Sequence, residues 1–223
     1  APREDDSSHM APRLVVALAG PARSGKDTTA HAIATAAAHA GLSVHLFGTP
    51  RAAIEEWKTR ADQPPGMHVT MREALQRIGD GMRAIDREVW IRKAMTSIAG
   101  ATSEVVVATD VRYANEIEAL LGLHTSTTRV VRVLIYRPGL PPSLAASECQ
   151  FAAALRECAA GPSRAGLVAF GDAAKAQAGA LFDFVLFNDR NHDDLAASAE
   201  ELLAMMRGSA LGKNASLFDA KGG

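Results

Sequence analysis

Hydrophobic positions along this chain fall into two alternating kinds of run. Leu14-Val-Val-Ala-Leu-Ala19 is continuously apolar and stops at Gly20, the pattern of a strand covered on both faces of a parallel sheet. Directly after it, Lys26 to Ala40 places Ala30, Ile33, Ala34, Ala37 and Ala38 at helical spacing, and Gly41 sits where a left-handed C-cap belongs. Ser43 to Phe47, Glu104 to Thr109, Arg129 to Tyr136 and Phe182 to Phe187 supply four more strand-length runs, rich in β-branched residues and separated by helical patterns. This alternation predicts a doubly wound α/β sandwich with its ligands in the crevice at the carboxyl ends of the strands.

Two insertions interrupt the alternation. The first, about residues 50–99, holds Pro64-Pro65-Gly66 as a loop and then Thr70-Met-Arg-Glu73, a capping box that should start a helix. Met71, Leu75, Ile78 and Met82 predict that helix's buried stripe, while Arg72, Gln76 and Arg83 gather on a different face. A second helix around Val89 to Ile98 carries Trp90. The other insertion, about residues 137–181, is Pro-rich and then Ala-rich and is the part least tied to a strand, as a lid would be. Residues 1–12 are polar and read as a disordered tail or cloning remnant with Met10 as the native start. The domain is expected over 13–207, with a loosely packed tail over 208–223.

Composition narrows the function classes. A chain of 223 residues suits one well-filled core. Lys and Arg total 24 against 25 for Asp and Glu, so no global field draws the protein to nucleic acid or to an anionic membrane, and neither is expected as a partner. The apolar runs are strand-length and too short to cross a bilayer. Cys149 and Cys158 fit a reducing compartment, hence a cytoplasmic location, better than a disulfide framework. Seven histidines are scattered without ligand spacing.

The chemistry concentrates in Gly20-Pro-Ala-Arg23-Ser24-Gly25-Lys26-Asp27-Thr28, which matches G-x-x-x-x-G-K between a predicted strand and a predicted helix. A backbone that curls around a phosphate needs those glycines, and the helix N-terminus behind it favours anions. Lys26 is then placed to reach the β- and γ-phosphates of ATP. The position after Lys26 is Asp27 where Ser or Thr usually serves magnesium, so Thr28 or Thr29 must compensate. Asp27 either holds a magnesium-bound water or complements the helix dipole. Val105-Val-Val-Ala-Thr-Asp110 is a Walker-B-like strand, and Asp110 either orients magnesium through water or caps the helix beginning near Arg112.

Taken together, Gly25-Lys26-Asp27-Thr28, Arg72-Glu73-Ala-Leu-Gln76-Arg77-Ile-Gly79-Asp80 with Arg83 and Trp90, Asp110-Val-Arg112-Tyr-Ala-Asn115-Glu116, Ser147-Glu148 and Asn188-Asp189 resemble the phage-type deoxynucleoside monophosphate kinases. The resemblance spans about residues 14–203. It implies a P-loop NTPase of nucleoside monophosphate kinase type: a three-layer sandwich on a five-stranded parallel sheet, with an acceptor-binding insertion and a lid. It also implies ATP and Mg2+ as cofactors, nucleotides as small-molecule partners, a homodimer as a compatible assembly, and the host cytoplasm as location if the gene is phage-borne. Where the family pattern has His-Ala-Ser-Glu, this chain has Ala145-Ala-Ser147-Glu148. Animal-type phosphomevalonate kinases share the Gly-Lys-Asp, an Asp-x-Arg and a Ser-Glu, but not the Leu-Gln-x-x-Gly helix; a kinase of that kind, or one acting in specialised metabolism, is the alternative.

Roles follow from bringing two anions into line while charge spreads over the transferred group. Lys26, Arg112 and Asp110 are the catalytic candidates. Gly20, Arg23, Ser24, Gly25, Lys26, Asp27 and Thr28 are the ATP-binding ones, and Asp27, Thr28 and Asp110 are the metal-side ones, direct or through water. Arg51, Arg72, Gln76, Arg77, Arg83, Trp90 and Glu148 are the acceptor-side candidates. Among these, Gln76 suits a base edge, and Trp90 either stacks on a base or joins the core. Glu116, one helical turn after Arg112, suggests an Arg-Glu pair, and Arg137, Arg156 and Arg164 are lid cations.

Overall fold

The computed structural model describes residues 14–48, 71–140, 151–160, 165–170, 181–189 and 191–204, with the side chains of 71–76 outside that description. Six strands form one sheet: β1 (Leu14–Ala19), β2 (Val44–Phe47), β3 (Val105–Val111), β4 (Arg129–Tyr136), β5 (Gly166–Ala169) and β6 (Phe184–Phe187), in the order β2-β3-β1-β4-β6-β5. All neighbours run parallel except β5, which is antiparallel to β6 along the register Gly166↔Phe187 to Ala169↔Phe184. The five expected strands are therefore present and parallel, but the sheet has six strands, not five. The extra one lies in the stretch read from sequence as least tied to a strand. Its run, Gly-Leu-Val-Ala, is only four residues long and offers little period to read.

The alternation of β1 assigns its side chains to two cores. Leu14, Val16 and Leu18 face a layer made by α1 (Lys26–His39) and α6 (His192–Ala204), meeting Ile33, Ala37, Leu195 and Leu202. Val15, Ala17 and Ala19 face the other side, with Ile98 of α3 (Val89–Ala99), Ile117 and Leu120 of α4 (Ala114–Leu121), and Ala154 and Cys158 of α5 (Ala152–Ala160). Phe182 anchors that second core, edge-on to Phe151 at 5.0 Å between ring centroids. Each fully buried Leu or Ile contributes about 1.5–3 kcal/mol relative to exposure, so β1, buried along its whole length, is heavily stabilised.

α1 ends as expected. Gly41 adopts φ +71°, and the N–H groups of Gly41 and Leu42 bond the carbonyls of Ala38 and Ala37 at 3.0 and 2.9 Å, closing a Schellman motif. α2 (Met71–Ile85) departs from expectation. Ile78 and Met82 are 56 and 40 % exposed, so the described part of the expected stripe is not buried against the described residues, and Ile85, outside that stripe, is 85 % exposed.

At the amino end of β6, Asp183 takes hydrogen bonds from Arg132 Nε and Nη2 at 3.0 and 2.7 Å and from the Arg132 backbone N–H at 2.9 Å. Its own N–H bonds the Arg132 carbonyl at 2.9 Å, so main chain and side chain lock β6 to β4 together.

Candidate active site

The chain leaves β1 for β2 and β3 on one side and later adds β4 on the other, so the carboxyl end of β1 is the topological switch point of the sheet. The loop 20–25 stands there. Its backbone is held in conformations that side chains resist: Gly20 at φ +146°, Arg23 at +64° and Gly25 at +103°. Space demands glycine as well. A Cβ on Gly20 would stand 2.6 Å from the Ile135 carbonyl oxygen, and one on Gly25 would collide with Asn188 Nδ2. α1 starts immediately behind the loop with Gly25 as its N-cap and no side-chain cap, which leaves first-turn N–H groups directed at the loop.

Lys26 folds its ammonium over this curl, donating to the carbonyls of Gly20 at 2.8 Å and Pro21 at 2.9 Å. Ser24 is wholly buried, yet its hydroxyl has no hydrogen-bond partner among the described residues. A buried orphan hydroxyl inside a loop of inward-directed amides fits an anion or a water bound there. Thr29 is buried and its Oγ1 donates to the Gly25 carbonyl at 3.0 Å, whereas Thr28 is exposed beside Asp27. Among the described residues no three His, Cys, Asp or Glu side chains cluster as a preformed metal cage.

Asp110 ends β3 next to β1 and accepts from Arg112 Nε at 2.7 Å. It does not cap the following helix. That task falls to Glu116, whose Oε2 accepts the backbone N–H groups of Arg112 at 2.8 Å and Tyr113 at 3.2 Å. The other Glu116 oxygen pairs with Arg83 rather than with the Arg112 guanidinium, so the expected arginine–glutamate pair exists with a different arginine. Arg83 also lies over the Tyr113 ring, 4.0 Å from its centroid, and Tyr113 donates its hydroxyl to Asp80 at 3.3 Å. Burial raises the Tyr113 pKa above its ordinary 10.0, against the opposing Arg83 and with smaller help from Asp80 and Glu116. These four side chains latch α2 to the carboxyl end of β3, and no local sequence signal announced it.

The remaining expected residues divide. Trp90 donates Nε1 to the Gly79 carbonyl at 3.3 Å and so ties α3 to α2. Arg77 is exposed on α2, and Arg156 is exposed on α5. Arg137, at the end of β4, reaches the loop and donates to the Arg23 carbonyl at 2.8 Å. Asn188, after β6, donates to the Ser24 carbonyl at 2.8 Å. The side chains of Arg72 and Gln76, and all of Arg51, Glu148 and Arg164, lie outside the described residues.

No family model and no curated protein matches this chain. Among solved structures, a protein designated APE1195 aligns at 17 % identity and TM-score 0.40, covering 90 % of this chain and 98 % of its own. The shikimate kinase from Acinetobacter baumannii, solved with shikimate, aligns at 15 % identity and TM-score 0.40, covering 90 % of this chain and 96 % of that one. Neither match bears on what this chain does. No described helix is long and apolar enough to cross a membrane.

Proposed function

We propose that this chain is an ATP-dependent kinase that moves the γ-phosphoryl group to a deoxynucleoside monophosphate. The observation that carries the proposal is the loop 20–25 at the switch point, with the Lys26 ammonium over a curl whose glycines admit no side chain. A polyphosphate placed there meets the helix N-terminus and loop amides, and Lys26 offsets the charge of its β- and γ-groups. An oxygen of the acceptor phosphate, already ionised at neutral pH, attacks the γ-phosphorus as the bond to the β–γ bridging oxygen breaks, giving ADP and the diphosphate. No strong general base is required.

Asp27, Thr28 and Asp110 supply oxygen donors on both sides of the loop mouth, a set that suits Mg2+ bound mainly through substrate phosphates. Bound there, Mg2+ would neutralise charge on the transferred group. Asp110 holds Arg112 by its Nε edge at the carboxyl end of β3, the end of the sheet where an acceptor would enter. The acceptor class rests on the sequence resemblance and on the arginine-bearing helix α2, which the Arg83–Glu116 pair fastens beside Asp110.

A coupled ADP-release assay with ATP, Mg2+ and a panel of deoxynucleoside monophosphates and phosphomevalonate tests the reading. Turnover is expected with at least one deoxynucleoside monophosphate. Turnover with phosphomevalonate alone would sink the acceptor assignment, and absence of ATP binding would sink the kinase itself.

A further inference from the structure

We infer that Asn188 is a positioning residue that sets the phosphate loop, an inference that rests on the proposed reading of that loop. Asn188 stands 164 positions from Ser24 in sequence, on the turn that follows β6. Its backbone N–H bonds the Tyr136 carbonyl at 2.8 Å, which fixes its place against the end of β4. Its side-chain amide donates to the Ser24 carbonyl at 2.8 Å.

A peptide unit is planar, and in the trans form its carbonyl and the following N–H point in opposite directions. No described peptide bond is cis. Holding the Ser24 carbonyl against Asn188 therefore turns the Gly25 N–H the other way, into the curl, and that N–H has no hydrogen-bond partner among the described residues. Asn188 also occupies the place where a Gly25 Cβ would be, so one side chain accounts both for the glycine and for its peptide's orientation. Arg137 grips the preceding peptide by donating to the Arg23 carbonyl at 2.8 Å, while the N–H of that peptide, on Ser24, closes a turn on the Pro21 carbonyl at 3.3 Å. The loop is thus gripped from outside on two consecutive carbonyls, by residues at the carboxyl ends of β4 and β6. A donor aimed before the anion arrives needs no reorganisation when it binds.

Replacing the amide by a carboxylate sets an oxygen against the Ser24 carbonyl and favours rotation of that peptide, whereas alanine only releases it. ADP is the probe, titrated by calorimetry into the wild type, Asn188→Asp and Asn188→Ala, with the Gly25 amide followed in 15N-labelled protein. The dissociation constant for ADP is expected to rise at least about tenfold in Asn188→Asp and about threefold in Asn188→Ala. KM for ATP should follow while KM for the acceptor stays put, and the unliganded Gly25 amide resonance should move in both variants. A purely structural role would instead lower the melting temperature and raise both KM values together, and that pattern overturns the inference. Unchanged ADP affinity in variants of a wild type that binds ADP overturns it alone; a wild type that does not bind ADP overturns the loop reading as well. Should Asn188→Asp not fold, Asn188→Ala decides: affinity equal to wild type with an unmoved Gly25 resonance refutes the proposal.

Discussion

Two arginine–carboxylate pairs on different strands of the sheet do different work. Arg132 and Asp183, at the amino end of β6, are 14 and 10 % exposed, share two side-chain bonds, and are joined again through their main chains. Arg112 and Asp110, at the carboxyl end of β3, are 34 and 28 % exposed and meet through one Nε contact. The first pair is the more deeply buried and, with its main-chain bonds, holds two strands in place. The second is more exposed, at the end of the sheet where the loop 20–25 stands, and its strength would be diluted by solvent if stability were its purpose. One pair thus serves the fold, and the other stands at the carboxyl end of β3 beside the loop 20–25.

That contrast can be broken in a defined order. Asp183→Ala takes the carboxylate from a mostly buried guanidinium and is expected to cost roughly 3–5 kcal/mol in urea unfolding, with kcat of the folded fraction unchanged. A fall in kcat without a loss of stability would erase the distinction between the two pairs. Lys26→Ala should do the reverse, lowering kcat on the order of 10²–10³-fold while the unfolding midpoint stays near wild type. Retention of most activity would remove the loop from the chemistry. Glu116→Gln loosens both the Arg83 pair and the cap on α4, and KM for the acceptor should rise about tenfold with KM for ATP little changed. The opposite split would detach α2 from the acceptor side.

The smallest effect is on Glu201 of α6, whose carboxyl is pushed above its ordinary 4.5 by burial. Because the folded pKa is the raised one, the folded state binds the extra proton, and stability falls as pH rises from 4.5 through the folded value. Glu201→Gln should therefore raise the melting temperature slightly at pH 7, and the gain should vanish below pH 4.5. A gain that persists in acid would point to packing rather than charge.

How much of this was legible beforehand depended on how local the cause was. The buried strands announce themselves because a strand covered on both faces has no choice but to be apolar, and the G-x-x-x-x-G-K loop because its shape admits few residues. β5 was missed because four residues hydrogen-bonded on one edge carry almost no pattern. The stripe of α2 was readable as a stripe, but periodicity names a face and not what meets it, and Ile78 and Met82 are exposed. The partner of Glu116 was misassigned for the same reason: Arg112 is near in sequence, while Arg83 arrives through the docking of a separate helix, 33 positions away. Asn188 is the extreme case, since nothing in an Asn-Asp pair tells that its amide closes on a loop near the other end of the chain.

The place of β6 has a bearing on biosynthesis. It emerges from the ribosome after β5 but lies between β4 and β5 in the sheet, so β5 has no strand to pair with until β6 has been made and inserted. Nascent chains released before about residue 188 would expose an unpaired ladder on β4 and would lack the amide that closes on Ser24, leaving quality control a species that neither completes its sheet nor holds nucleotide.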